Sequence, residues 1–239
     1  MKIALIGYGK MGKAIEEIAL IQGHIITLIV DHNKRDKLTK ENLQAADVAI
    51  EFTGAESALG NIRKCIDAGL PVVSGSTGWL DEFHEAEMYC QSHAGTFLYA
   101  SNFSIGVNIF FEINSRLAAL MAKREEYNVS VKEIHHTQKK DVPSGTAISL
   151  AEQLVREIPA KTNWSVTNNN AQTIKIYSER IDPAPGTHHV KYESVIDDIE
   201  IIHTAHSRKG FASGAISAAE FIINKKGLYT MKDVLGLQK

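Results

Sequence analysis

The densest group of reactive side chains in the sequence is the run Glu133-Ile134-His135-His136-Thr137-Gln138-Lys139-Lys140-Asp141-Val142-Pro143-Ser144-Gly145-Thr146-Ala147. A histidine can give or take a proton near neutral pH, and a lysine can pair with an anion or protonate it. Neighbouring residues of a strand point to opposite faces. His135 and His136 therefore read as one functional histidine beside one that supports it or touches substrate, not as a chelating pair, and no metal is expected. Pro143-Ser144-Gly145-Thr146 reads as the start of a helix whose free backbone N–H groups can hold a carboxylate, with Lys139 as the opposing charge. The same residues also spell a capped helix behind a polar loop, and local spacing does not choose between the two.

A second chemical signal opens the chain. Gly7-Tyr8-Gly9-Lys10-Met11-Gly12 sits between an apolar run and a helical window. In that setting the first glycine permits a tight turn, the second lets backbone approach a pyrophosphate, and the third allows close packing of helix on strand. The expected ligand is a nicotinamide dinucleotide, with Lys10 and Met11 in the phosphate-facing turn. Asp31, at the end of the second apolar run, is placed to accept hydrogen bonds from ribose hydroxyls, while His32, Lys34, Arg35 and Lys37 can pair with the additional phosphate of NADP. Both NADH and NADPH are therefore expected to serve. Phe52-Thr53-Gly54 and Gly75-Ser76-Thr77-Gly78 follow the next two apolar runs, where ligands of open α/β sheets bind. His188-His189 reads as surface or structural. His203 and His206 precede Arg208, a candidate for a further anion contact.

Elements that can position these groups follow from periodicity. Apolar runs at 2–6, 25–30, 47–52, 71–74 and 96–100 alternate with helical windows at 11–22, 55–69 and 79–93, the pattern of a parallel sheet flanked by helices. Gly23 and Gly69 stand where helix C-caps belong. After Phe103 the order changes: a helix over 105–123, a strand over 128–134, a helix over 144–157, then strands near 173–181, 188–196 and 198–205. The fold expected is α/β: a Rossmann-like dinucleotide-binding domain from 1–103 plus 211–239, and an α+β domain from 104–210 with a mixed or antiparallel sheet. A helix from Gly214 to about Ile223 returns to the first domain.

Composition removes several classes. The 239 residues carry 26 basic and 28 acidic side chains, a formal charge of -2, so no global field draws in nucleic acid or an anionic membrane and any anion must be captured locally. Cys65 and Cys90 lack metal-ligand spacing and read as reduced core thiols. No apolar run reaches membrane-spanning length, and a cytoplasmic location is expected.

Taken together, the segments resemble the dihydrodipicolinate reductase (4-hydroxy-tetrahydrodipicolinate reductase) family of the diaminopimelate and lysine pathway. The resemblance runs through the glycine loop, Glu51-Phe52-Thr53, Gly75 to Gly78, Ala100-Ser101-Asn102-Phe103-Ser104-Ile105-Gly106-Val107-Asn108 and the His-His to Ser-Gly-Thr-Ala run. It continues at His206-Ser207-Arg208, Phe211 to Ala215, Gly227-Leu228-Tyr229 and Met231 to Leu235. What it implies is hydride transfer from NADH or NADPH to a cyclic dicarboxylate, with His135 as catalytic acid/base and Lys139 as its proton-donating partner. His136, Ser144, Gly145 and Thr146 would hold substrate; Gly75, Ser76, Thr77 and Ala100 to Phe103 would meet the nicotinamide end. A homotetramer built through the second domain is also implied. Departures are the glycine loop, one residue shorter than the common form, Ser76 for threonine, Val142 for alanine, and Asp31-His32 for an acid-arginine pair. Two other readings stand beside it: another two-domain amino-acid dehydrogenase, which leaves the His-His run unaccounted for, and an NAD-binding sensor, which normally carries a DNA-binding module not visible here.

Overall fold

The computed structural model describes residues 1–207 and 209–237, apart from the side chain of Lys34; Arg208, and with it the expected anion contact there, lies outside the described residues. The chain divides into two compact units, Met1–Ile105 with Lys209–Lys239, and Gly106–Arg208.

In the first unit, β1 (Lys2–Ile6), α1 (Lys10–Ile21), β2 (Ile25–Val30), α2 (Lys40–Leu43), β3 (Val48–Glu51), α3 (Ala55–Asp67), β4 (Val72–Ser74), α4 (Phe83–Ser92) and β5 (Thr96–Tyr99) follow one another. These strands read as unbroken apolar runs because both faces of the sheet are covered. Ala4 and Ile6 pack with Ile62, Cys65 and Cys90 of α3 and α4, whereas Ile3 and Leu5 pack with Ile15 and Ala19 of α1 and with the helix over Lys209–Ile222. The sheet is parallel, in the order β11-β5-β4-β3-β1-β2, where β11 is Gly227–Tyr229. Its outermost strand, Gly227–Tyr229, comes from the C-terminal segment and was not expected. Three residues carry too little periodicity to read as a strand, and only pairing with β5 defines it. The chain leaves β1 towards β2 on one side and returns to β3 on the other, which makes the carboxyl end of β1 a topological switch point.

The second unit contains α5 (Ile105–Met121), β6 (Asn128–His135), α6 (Gly145–Glu157), β7 (Asn163–Ser165), β8 (Thr173–Arg180), β9 (Thr187–Glu193) and β10 (Asp198–Thr204). Then α7 (Lys209–Ile222), β11 and α8 (Met231–Val234) complete the first unit. The second sheet is mixed, ordered β10-β9-β6-β8-β7, with β6 parallel to β8 and antiparallel to β9. Along β6 burial alternates strictly, so Val129, Val131, Glu133 and His135 share the covered face. Phe110 and Ala118 of α5 and Leu150, Ala151 and Leu154 of α6 pack there with Ile174, Ile176, Val190 and Tyr192.

Candidate active site

At the switch point of the first unit a cavity of about 720 Å³ is lined by Gly7, Tyr8, Gly9, Asp31, His32, Arg35, Thr53, Gly54 and Lys64, among others. Gly7 takes φ +97° and its N–H bonds Val30, turning the chain sharply out of β1. A Cβ on Gly12 would stand 2.2 Å from the Gly7 carbonyl oxygen, so only glycine allows α1 to start this close to the strand. Gly9 caps α1 without a side chain. The N–H groups of Lys10, Met11 and Gly12 bond no acceptor among the described residues, which leaves three donors at a helix N-terminus. Asp31 accepts from the His32 N–H at 2.7 Å while lining the cavity. Of the basic cluster after it, His32 and Arg35 line the cavity. Lys64, one turn from the end of α3, adds a cation that no sequence signal marked.

Next to this cavity, at the ends of β3 and β4, Glu51 is fully buried. Its carboxylate accepts from Ser74 Oγ at 2.6 Å, Ser76 Oγ at 2.8 Å and the Thr53 N–H at 3.0 Å, and from the Thr53 hydroxyl. The Ser76 hydroxyl, expected at the nicotinamide end, is thus turned inward, and what the Gly75–Thr77 turn presents is backbone and the exposed Thr77. The Phe103 ring is buried against Phe52 at 5.5 Å, which leaves its backbone to face a ligand, while Ala100, Ser101 and Asn102 stay partly or fully exposed.

The second unit gathers a different set. His135 is buried at the end of β6 and His136 only half-buried, as alternation requires. His135 Nδ1 lies 3.0 Å from Glu133 Oε2. Glu133 Oε1 receives Arg180 Nη2 at 3.1 Å. Burial alone pushes the Glu133 carboxyl up, yet His135, Ser144, Ser178 and Arg180 around it outweigh that and hold it well below the usual range. Lys139 Nζ is gripped by both carboxylate oxygens of Asp141, at 2.8 and 2.7 Å. Ser144 caps α6: its hydroxyl accepts from the Ala147 N–H at 3.2 Å and pairs with His188 Nε2 at 3.1 Å. The Ser144 side chain is therefore engaged inside the unit, while the N–H groups of Gly145 and Thr146 bond no acceptor among the described residues. Of the two readings of His188, surface or structural, burial selects the structural one. It is 5% exposed, and its ring meets that of His135 edge-on at 5.1 Å and 71°.

Glu133, His135 and His188 offer atoms within 4.8 Å of one another, close enough to weigh as metal ligands. A cation among them would face the Arg180 guanidinium on the same carboxylate, so the set reads as an ion-paired cluster completed by Arg180.

A cradle of helix N–H donors at a switch point, and a His–Lys–helix-start cluster in a separate unit, are the features against which relatives can be compared. A model described as dihydrodipicolinate reductase, N-terminus, matches residues 1–103, and one described as dihydrodipicolinate reductase, C-terminus, matches residues 106–235. The chain belongs to the dihydrodipicolinate reductase family. It is 48% identical to the 4-hydroxy-tetrahydrodipicolinate reductase of Christiangramia forsetii, with 98% of each chain covered, and 34% identical to that of Thermosipho africanus over the same shares. Its fold is similar to that of the dipicolinate-bound dihydrodipicolinate reductase from Paenisporosarcina sp. TG-14, with a TM-score of 0.76 at 20% identity over 96% of this chain and 97% of that one.

Within this member of the dihydrodipicolinate reductase family, sequence reasoning missed Arg180 and His188 because their partners are distant along the chain. Register places Arg180 opposite His135 and His188 opposite Glu133. Alternation of β8 and β9 marks both as residues of a covered face, and a charged side chain on such a face was the signal available.

The buried His188 makes stability depend on pH. Burial first, and the neighbouring His135 second, push it down to about 3 from the ordinary 6.5. The unfolded chain then binds a proton that the folded chain refuses. Stability is fully present above pH 6.5 and falls towards pH 3 by about 1 kcal/mol per pH unit. Glu133, lowered from 4.5, acts in the same direction below that value, its contribution being lost as pH falls. Thermal melts should therefore show a Tm that drops between pH 6.5 and 4.5 and a shallower drop in His188→Gln. Equal slopes for the two proteins in that window would place His188 outside the acid response.

Proposed function

We propose that the protein is a 4-hydroxy-tetrahydrodipicolinate reductase, reducing its cyclic dicarboxylate substrate to tetrahydrodipicolinate with NADH or NADPH in diaminopimelate and lysine biosynthesis. The observation that carries this reading is the second unit's cluster, in which His135, Lys139 and the N-terminus of α6 lie on one set of strand ends, in a chain of the reductase family.

The cavity residues fit a nicotinamide dinucleotide. The N–H groups of Lys10 to Gly12 suit its pyrophosphate, and Asp31 suits a ribose hydroxyl. When bound, that cofactor supplies the hydride. The chain's own residues then have three tasks. Gly145 and Thr146 N–H groups hold a substrate carboxylate, as helix starts do. His136, half-buried just after β6, adds a contact. Lys139 leaves Asp141 to pair with the substrate, and His135, with Nδ1 against Glu133, moves a proton at Nε2. A chain with a formal charge of -2 needs such local donors for a dianionic substrate.

Asp31 together with Arg35 and Lys64 on the cavity wall supports use of both cofactors, the acid serving the free ribose hydroxyl and the cations an added phosphate. Enzymatically made hydroxy-tetrahydrodipicolinate added with NADH or with NADPH should bring a fall in nicotinamide absorbance in both cases. The two kcat/KM values should lie within about tenfold, the worth of one charge-assisted hydrogen bond. No oxidation of either cofactor would sink the assignment, and a strong preference for one would remove dual use alone.

A homotetramer joined through the second unit belongs to the same proposal. The uncovered face of its sheet presents Tyr177 and Ile202, both about half exposed, among Lys132, Lys191 and Glu200. Light scattering would read the assembly directly. The reduced, buried Cys65 and Cys90 suit a cytoplasmic location.

A further inference from the structure

Glu133 contacts the His135 ring, and Arg180 contacts both Glu133 and the backbone carbonyl of Lys139, though neither is one of the two reacting groups. We propose that they form a positioning pair, its carboxylate buried and its guanidinium partly so, that fixes His135 through its ring and Lys139 through the backbone that carries it. The inference rests on the reading of His135 and Lys139 as the proton-handling groups.

Each oxygen of the Glu133 carboxylate faces a different task. Oε2 stands 3.0 Å from His135 Nδ1, and Oε1 takes Arg180 Nη2 at 3.1 Å. The guanidinium in turn donates from Nη2 to the Asp141 carbonyl at 2.7 Å and from Nε to the Lys139 carbonyl at 3.4 Å, and from Nη1 to the Glu179 carbonyl at 2.9 Å. Arg180 thereby holds the loop on both sides of Lys140, on the segment that also closes the Lys139–Asp141 ion pair. A planar five-donor fork can do this; a lysine ammonium, a single point charge, cannot.

Strand register makes the arrangement rigid. His135 lies opposite Arg180 on β8, and Glu133 lies opposite His188 on β9, all on the covered face. His188, tied to Ser144 Oγ at 3.1 Å, presses edge-on against His135 from the β9 side. The charged and titratable groups around His135 are thus Glu133 of β6, Arg180 of β8, His188 of β9, and Lys139 with Asp141 of the following loop. With Nδ1 in ion-pair contact with the carboxylate at 3.0 Å, Nε2 is the nitrogen left for substrate, in the neutral Nδ1–H tautomer or the imidazolium. A buried ion pair adds little net stability compared with apolar residues of the same size. Its return here is geometry.

The test uses the full chain with Glu133→Gln and Arg180→Lys, which keep approximate size. Both should lower kcat by about 30-fold or more with NADH affinity within about threefold; substrate KM should stay within about threefold in Glu133→Gln, which acts through His135, and rise in Arg180→Lys, which displaces Lys139. In ¹⁵N spectra, His135 of the parent should be a single Nδ1–H tautomer when neutral, and Glu133→Gln should turn it into a mixture. Arg180→Lys should keep that tautomer, since Glu133 remains, and still lose turnover through Lys139. Unchanged kcat and an unchanged tautomer in Glu133→Gln overturn the pair. So does a loss confined to thermal stability. If the glutamine variant does not fold, Arg180→Lys decides by its own kcat and KM readings. Should His135→Ala and Lys139→Ala keep full turnover, the reading of the site fails; should they lose it while both pair variants keep it, only the positioning pair fails.

Discussion

Replacing His135 by alanine is expected to cut kcat by about 100- to 10,000-fold, the range general acid–base groups supply, and Lys139→Ala to cut it comparably with an added rise in substrate KM. The two differ because His135 is buried against Glu133, where it moves a proton, whereas Lys139 sits in a solvent-accessible ion pair with Asp141 and meets substrate by exchanging that partner. NADH affinity should change by less than about twofold in either variant, since sites without shared partners act independently. Neither residue lines the dinucleotide cavity. Stopped-flow reduction under saturating substrate, with NADH binding followed by fluorescence, separates the two quantities. Equal losses of turnover and NADH binding would move these residues into the cofactor site.

Gly12→Ala should damage both the first unit's stability and its hold on the dinucleotide. The new Cβ would stand 2.2 Å from the Gly7 carbonyl oxygen, a backbone atom that cannot swing aside. Relief requires shifting the start of α1 or the turn itself, at a cost of about 2 kcal/mol in stability. The donors of Lys10 to Gly12 move with the helix. If two charge-assisted hydrogen bonds to a pyrophosphate are lost at about 1.5 kcal/mol each, affinity for NADH and NADPH falls by roughly 100-fold. Calorimetric titration of both cofactors, beside a melt, measures the pair of effects. An alanine variant that binds both cofactors as the parent does would mean that the loop does not carry the pyrophosphate.

Legibility along the chain followed the range of the interaction that decides each feature. The glycine turn, the apolar strands β1 to β5, the cap at Ser144 and the C-cap glycines Gly23 and Gly69 could all be read from sequence, because turn chemistry and periodicity act within a few residues. Gly23 and Gly69 do take positive φ, at 78° and 73°. The mixed sheet of the second unit lay within the expected class, but its strand order did not follow from the windows.

By itself the sequence determined that the chain would build a parallel sheet with a dinucleotide turn, and that His135, Lys139 and a helix start would lie within a dozen residues of one another. Tertiary structure decided what surrounds them. Arg180 is 47 residues from Glu133, and His188 is 44 from Ser144. The C-terminal Gly227–Tyr229 finds its place only beside β5. It also decided which side chains turn inward, so that Ser76, Phe103 and Ser144 serve the interior although their types suit a ligand. The reason is that partners across a sheet are set by strand register and burial, and both come into being only when segments distant along the chain pack together.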